Sequence, residues 1–307
     1  MNVFCWDKSE KLMFNEKLIE HLGISPRLTE EEITTIHQNL AAAVQLRYEE
    51  VLFDIIKSLK NLGSNNLCLG GGSAYNGTAN LLEGLRKSKY KDALIHICAS
   101  SEVFGRVPKE KLPIDEECSF HPASPYAISK VGTDLIGRYY GEAYNMMVMT
   151  TRMFTHTGPR RGDVFHESTF AKQIAMIEHG LQDPKILVGN LDSLRTYADV
   201  RDAVDAYWTL LTVNPKSGSY YNIGGTYTCK VGDTLNYLIS KSTVKNIEIV
   251  VDQSRLRPID ADLQLPDTTK FREMTGWEPK IHFNQTMDDL LEYWRDRVNK
   301  GRKFLNR

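Results

Sequence analysis

The 307-residue sequence carries 38 Lys and Arg against 39 Asp and Glu, so no global field attracts a polyanion and no nucleic-acid partner is expected. With 41% hydrophobic and 25% charged residues, the chain can bury one large core or two smaller ones. The five cysteines, Cys5, Cys68, Cys98, Cys118 and Cys229, are scattered without a C-x-x-C pair, which argues against a disulfide framework and against a metal site.

The opening stretch MNVFCWDKSEKLMF lacks the basic-then-apolar order of a signal peptide, and no apolar run approaches the roughly 18 residues that span a bilayer. A cytoplasmic protein with no membrane partner is expected. From Thr29 to about Asn61 the residues Ile33, Ile36, Leu40, Val44, Val51, Ile55 and Leu59 recur at the spacing of one helical face. Thr29 with Glu32 fits a capping box at its start, and Gly63 suits a C-cap just beyond its end.

After this helix the pattern changes. Short apolar runs at Asn66 to Leu69, Ala93 to Ala99, Met146 to Thr151, Lys185 to Val188 and Ile247 to Val251 read as strands, with helical stretches between them. That alternation predicts a mainly parallel sheet with right-handed crossovers. Gly71 to Gly77 follows a strand and precedes a helix, and it fits G-x-x-A-x-x-G, one substitution from a dinucleotide-binding turn. The alternative is a tight turn that only reverses the chain.

The chemistry concentrates between Cys98 and Lys130. The strand Ala93 to Ala99 runs into Ser100-Ser101-Glu102, placing two hydroxyls and a carboxylate at a carboxyl end, where open parallel sheets bind ligands. In Tyr126-Ala-Ile-Ser-Lys130 a phenol and an ammonium lie four apart on one predicted helix face. A nearby ammonium favours the phenolate, so the pair suits a proton shuttle for alcohol and ketone chemistry. For Glu102 the bland alternative is a solvated carboxylate.

Ser100 to Gly105, then Ser124 to Lys130, then Thr151 to Gly162 follow one another as in the extended short-chain dehydrogenases, which the chain resembles from about Gly77 to Arg297. Pro159-Arg-Arg-Gly162 and Gly189-Asn-Leu-Asp192 resemble in particular the GDP-mannose 4,6-dehydratases and the reductases that act on their product. The resemblance implies NADP or NAD as cofactor and a nucleotide-sugar substrate, GDP-linked in the nearest pattern. It implies that Ser100 bonds the C4 hydroxyl, that Tyr126 is the acid/base there, and that Lys130 orients the cofactor ribose and tunes Tyr126. Glu102 takes the position of the base that removes the C5 proton. His156 and Arg161 match cofactor contacts, Arg161 facing the extra phosphate of NADP or, alternatively, solvent. Lys172, Arg195 and Arg257 match contacts to the substrate diphosphate. Thr155 falls where related loops carry a substrate-contacting Asn, and it offers one donor where Asn offers two.

Residues 1–76 depart from that pattern, and Phe14 to Asn76 is instead similar to the central part of nodulation-type O-carbamoyltransferases. The expected fold class is therefore α/β: an α-helical segment over 1–76, then a truncated Rossmann-like parallel sheet with a small C-terminal substrate domain over 77–307. A homodimer is expected through the helices Thr78 to Lys87 and Tyr126 to Tyr144, as the resemblance implies. Three functions compete: a nucleotide-sugar 4,6-dehydratase, an NADPH-dependent 4-keto-6-deoxy sugar-nucleotide reductase, and a non-catalytic sugar-nucleotide-binding remnant.

Overall fold

The computed structural model describes residues 66–69, 74–256 and 263–301. The predicted helix over 29–61 with its Thr29–Glu32 cap, the glycines at 71 and 72, and Arg257 lie outside the described residues. Four parallel strands form the main sheet in the order β1 (Asn66–Leu69), β2 (Leu94–Cys98), β3 (Val148–Met153) and β7 (Tyr220–Ile223). Helix α1 (Ala74–Arg86) connects β1 to β2, and α2 (Pro125–Tyr144) connects β2 to β3.

Every residue of β3 is buried, including Thr150, Thr151 and Arg152, as expected of a parallel strand covered on both faces. Alternate residues of β2 serve opposite layers. Ile97 packs under Gly137 of α2, where an added Cβ would come within 2.5 Å of its Cδ1. His96 instead turns its ring to Tyr207 of α4 (Val200–Thr212), with 4.6 Å between centroids. Met149, Tyr221 and Ile223 of the sheet share a core with Ala203, Ala206 and Leu210 of α4.

Helix α2 starts and stops on local signals. The Ser124 hydroxyl accepts from the Ala127 amide at 3.1 Å, Pro125 follows in the first turn, and Asn145 closes the helix in the left-handed conformation. Close packing near its end needs Gly141, because a Cβ there would lie 2.4 Å from the backbone of Gly218.

The expected single sheet is divided. β5 (Lys185–Val188) and β9 (Glu248–Val251) pair only with each other among the described residues, in a second lobe. Here α3 (His166–Glu178), α5 (Val231–Ser240) and α7 (Phe283–Asn299) enclose Phe170, Ile174, Leu235, Met287, Leu290 and Trp294. Between the lobes, β6 (Leu194–Asp199) pairs with β4 (His156–Thr157), with β10 (Leu263–Gln264) and, antiparallel, with β8 (Tyr227–Lys230). The Asp199 carboxylate joins α4 to α7, accepting from the Arg201 amide and the Thr286 hydroxyl, each at 2.8 Å.

Candidate active site

The carboxyl ends of β2 and β3 carry the chemical groups. Beyond β2 the Ser100 hydroxyl accepts from the Glu102 amide at 3.2 Å, which sets the short turn Ser101–Val103 and projects Glu102 beside it. Gly105 then lets the chain pass under His121, whose carbonyl oxygen would lie 1.7 Å from any Cβ.

From the first turns of α2, Tyr126 is 47% exposed and Lys130 only 3%. Burial raises the Tyr126 phenol above its ordinary value, and Glu102 raises it further; the Ser100 hydroxyl, by hydrogen bonding, and the Arg161 charge act the other way. These opposed effects place Ser100, Glu102, Tyr126 and Arg161 in one electrostatic neighbourhood. Lys130 lies one turn further along the same helix. Its Nζ donates to the Cys98 carbonyl at 2.7 Å and lies 5.8 Å from the Tyr126 ring centroid. Burial moreover lowers the pKa of Lys130 itself. Lys130 thus ties the helix to the end of the strand.

Beyond β3, His156 lies against the carbonyl of Phe154, its Nδ1 3.2 Å away, so this nitrogen donates and Nε2 is left as an acceptor. Burial, then the charge of Arg161, lowers its pKa and keeps the ring neutral. Arg161 is held against the Phe165 ring, 3.3 Å from Cζ to the centroid, with Nε 3.4 Å from Oε1 of Glu167. Burial lowers the pKa of Arg161, and the nearby Glu167 carboxylate opposes that shift.

The remaining expected contacts are placed apart. Thr155 lies between β3 and β4, half-buried, and its carbonyl accepts from the Ala198 amide at 2.9 Å. Lys172 on α3 forms an ion pair with Asp163 at 2.8 Å, so a diphosphate would have to displace that carboxylate. Arg195 on β6 is buried, with Nη1 donating to the Leu194 carbonyl at 3.1 Å.

Two important residues escaped the sequence reading. Arg152, fully buried, donates from Nε and Nη2 to Asp134 at 2.8 and 3.1 Å and from Nη1 to the Glu116 carbonyl at 2.7 Å. It clamps α2 to β3. Glu167 belongs to the buried face of α3 that continues at Phe170, Ala171 and Ile174. A carboxylate interrupting that apolar spacing was the signal that could have revealed it.

Comparison with known proteins shows the family and the fold. The sequence model of the family described as GDP-mannose 4,6 dehydratase matches residues 72–290. A GDP-6-deoxy-D-mannose reductase of Pseudomonas aeruginosa is 32% identical over 224 residues, covering 73% of either chain. GDP-mannose 4,6 dehydratase 1 of Arabidopsis thaliana is 26% identical, covering 91% of this chain and 79% of its own, and so reaches into residues 1–76. Among solved structures, RMD from Pseudomonas aeruginosa complexed with NADPH superposes with a TM-score of 0.69 at 29% identity, over 76% of this chain and 82% of that one. A dTDP-glucose 4,6-dehydratase from Bacillus anthracis has a TM-score of 0.68 at 23% identity, over 82% of this chain and 78% of its own, and shares the Rossmann-like α/β fold. With the family match spanning most of the sequence, the chain belongs to the GDP-mannose 4,6 dehydratase family.

Proposed function

We propose that the protein is a nucleotide-sugar 4,6-dehydratase acting on GDP-mannose with NADP or NAD. The observation that carries this reading is the carboxylate of Glu102 in the electrostatic neighbourhood of Tyr126 and Ser100. A 4-keto sugar acidifies its C5 hydrogen, and dehydration needs a base for that proton beside the group that handles the C4 oxygen. Tyr126 with Ser100 binds the C4 oxygen and moves its proton, and Glu102 takes the proton from C5 as the C6 hydroxyl leaves.

The residues present fit the nicotinamide end of the cofactor. Lys130, Tyr126 and a neutral His156 offer donors and an acceptor around the strand ends, as a ribose and a carboxamide require. A bound NAD(P) supplies hydride acceptance from C4 and return to C6, without net consumption. In this reading Lys130 orients the ribose while holding Cys98, and Lys172, Arg195 and Arg257 hold the diphosphate once Asp163 yields Lys172.

The reductase reading is favoured by the 32% identical relative from Pseudomonas aeruginosa, which is named for that activity. Cofactor stoichiometry separates the two. A dehydratase turns over many substrates per NADP, whereas a reductase consumes one NADPH per product. We also propose a homodimer that works in the cytoplasm; among the described residues no helix is long and apolar enough to cross a membrane. No carbamoyl transfer is assigned to residues 1–76, since their similarity covers only part of such a transferase.

A further inference from the structure

We propose that Gln264 is a substrate-binding residue whose carboxamide takes a vicinal diol of the sugar nucleotide. The proposal rests on the nucleotide-sugar reading above. Gln264 ends the short strand β10 and is 1% exposed. Neither its Oε1 nor its Nε2 meets a hydrogen-bond partner among the described residues. Burying an amide without a partner is costly, and an aliphatic side chain of similar size would fill the same position without that cost. Such a group calls for something that binds it.

The strand register fixes the direction of the side chain. Gln264 is the parallel partner of Arg195 on β6, so the two side chains leave the sheet on one face. Cys229 of β8 lies opposite Arg195, and Tyr197 follows Arg195 at the next position of like orientation, so both share that face. Cys229 is buried in the core with Phe170 and Ile174 of α3, and the Tyr197 phenol oxygen lies 2.8 Å from Nε2 of His166 at the start of α3. The face that carries Gln264 therefore looks toward α3. Just beyond Gln264 the chain meets the main sheet. A Cβ on Gly224 would come within 2.8 Å of Pro266 Cγ and 3.3 Å of Phe154 Cβ, and Phe154 and Gly224 directly follow β3 and β7. Gln264 is thus held between α3 and the carboxyl ends of the sheet, beside the candidate site.

Its neighbour points to the ligand class. In the function proposed above Arg195 holds the diphosphate, and neighbouring strands lie about 4.8 Å apart, a step from the diphosphate to the adjoining sugar ring. A carboxamide presents a donor and an acceptor side by side, and two adjacent hydroxyls return an acceptor and a donor. GDP-mannose carries such a diol on either side of its diphosphate, in the ribose and in the hexose.

The experiment is calorimetry with GDP-mannose, GDP and 2′,3′-dideoxy-GDP on wild type and Gln264→Met. Met keeps the length of the side chain and removes the amide, so the Tm is expected not to fall; Gln264→Leu is measured beside it as a second apolar replacement. Each variant is expected to bind GDP-mannose about tenfold more weakly. Unchanged GDP binding then assigns the contact to the hexose, whereas weakened GDP with unchanged 2′,3′-dideoxy-GDP assigns it to the ribose; either result supports the proposal. Equal weakening of all three ligands overturns it, because the effect then runs through Arg195 and the diphosphate. Unchanged binding of all three overturns it as well, the amide then being satisfied by water alone. A wild-type protein that binds none of the three removes the nucleotide-sugar reading together with this proposal, which keeps the two failures distinct.

Discussion

The Lys130 ammonium donates to the carbonyl of Cys98 at 2.7 Å, tying the helix that bears the proton shuttle to the last residue of the strand beneath it. Tyr126→Phe removes the acid/base and Lys130→Met removes this brace together with the proposed ribose contact. Each is expected to lower turnover by ~100-fold or more, with melting close to wild type for Tyr126→Phe and a lowered Tm for Lys130→Met, which leaves the Cys98 carbonyl without its donor. Full activity in Tyr126→Phe would remove the phenol from the mechanism.

Glu116 is buried, and its Oε1 accepts from the Asn222 amide at 2.8 Å on the edge strand β7. Burial raises its pKa above the ordinary 4.5, so the folded chain holds this proton more tightly than the unfolded chain does. The stabilising contribution is full below the ordinary carboxylate range and is lost as pH rises through the folded value. Glu116→Gln keeps an acceptor for Asn222 and removes the charge. Its Tm at pH 7 should exceed that of wild type, and the gap should close on acidification; a lower Tm at pH 7 would show that the charge is stabilising.

Arg152 and Asp134 form a fully buried, two-pronged pair, with Cζ of Arg152 4.7 Å from the Phe120 ring centroid and 5.4 Å from that of Phe104. Breaking such a pair leaves one charge stranded in an apolar setting. Asp134→Asn is expected to cost about 3–5 kcal/mol in urea unfolding. A loss below about 1 kcal/mol would mean that the neighbouring carbonyl of Glu116 suffices for the guanidinium.

Ile128, Leu135 and Tyr139 are all exposed along one face of α2, a stripe of apolar surface on the helix expected to mediate self-association. Sedimentation at micromolar concentration should show a dimer, and Ile128→Asp/Tyr139→Asp should convert it to a monomer. A wild-type monomer would count against the symmetric helix pairing.

Much of this arrangement was legible because it follows local rules. The run Lys185 to Val188 became a strand with the predicted limits, and Tyr126 and Lys130 lie on one helix as their spacing implied. Long-range partnership was less legible. Nothing in the run at 185–188 reveals that β5 pairs with β9 instead of joining the main sheet, since parallel pairing is decided by layers packed far away in sequence. The Tyr126–Lys130 spacing showed that the two residues share a helix face, but the direction of the ammonium depends on Cys98, 32 residues earlier. Likewise, nothing in the Gly- and Pro-rich loop showed that Arg161 would meet the buried carboxylate of Glu167.

The central claim, that Tyr126 and Glu102 act together on C4 and C5 of a GDP-linked sugar, is tested most directly by incubating the protein with GDP-mannose and substoichiometric NADP in D2O. The account predicts several equivalents of a 4-keto-6-deoxy product per NADP, carrying one solvent deuterium at C5, and loss of that product in Glu102→Gln. Unchanged GDP-mannose, together with mole-for-mole consumption of NADPH on a 4-keto-6-deoxy GDP-sugar, would contradict it and establish the reductase instead.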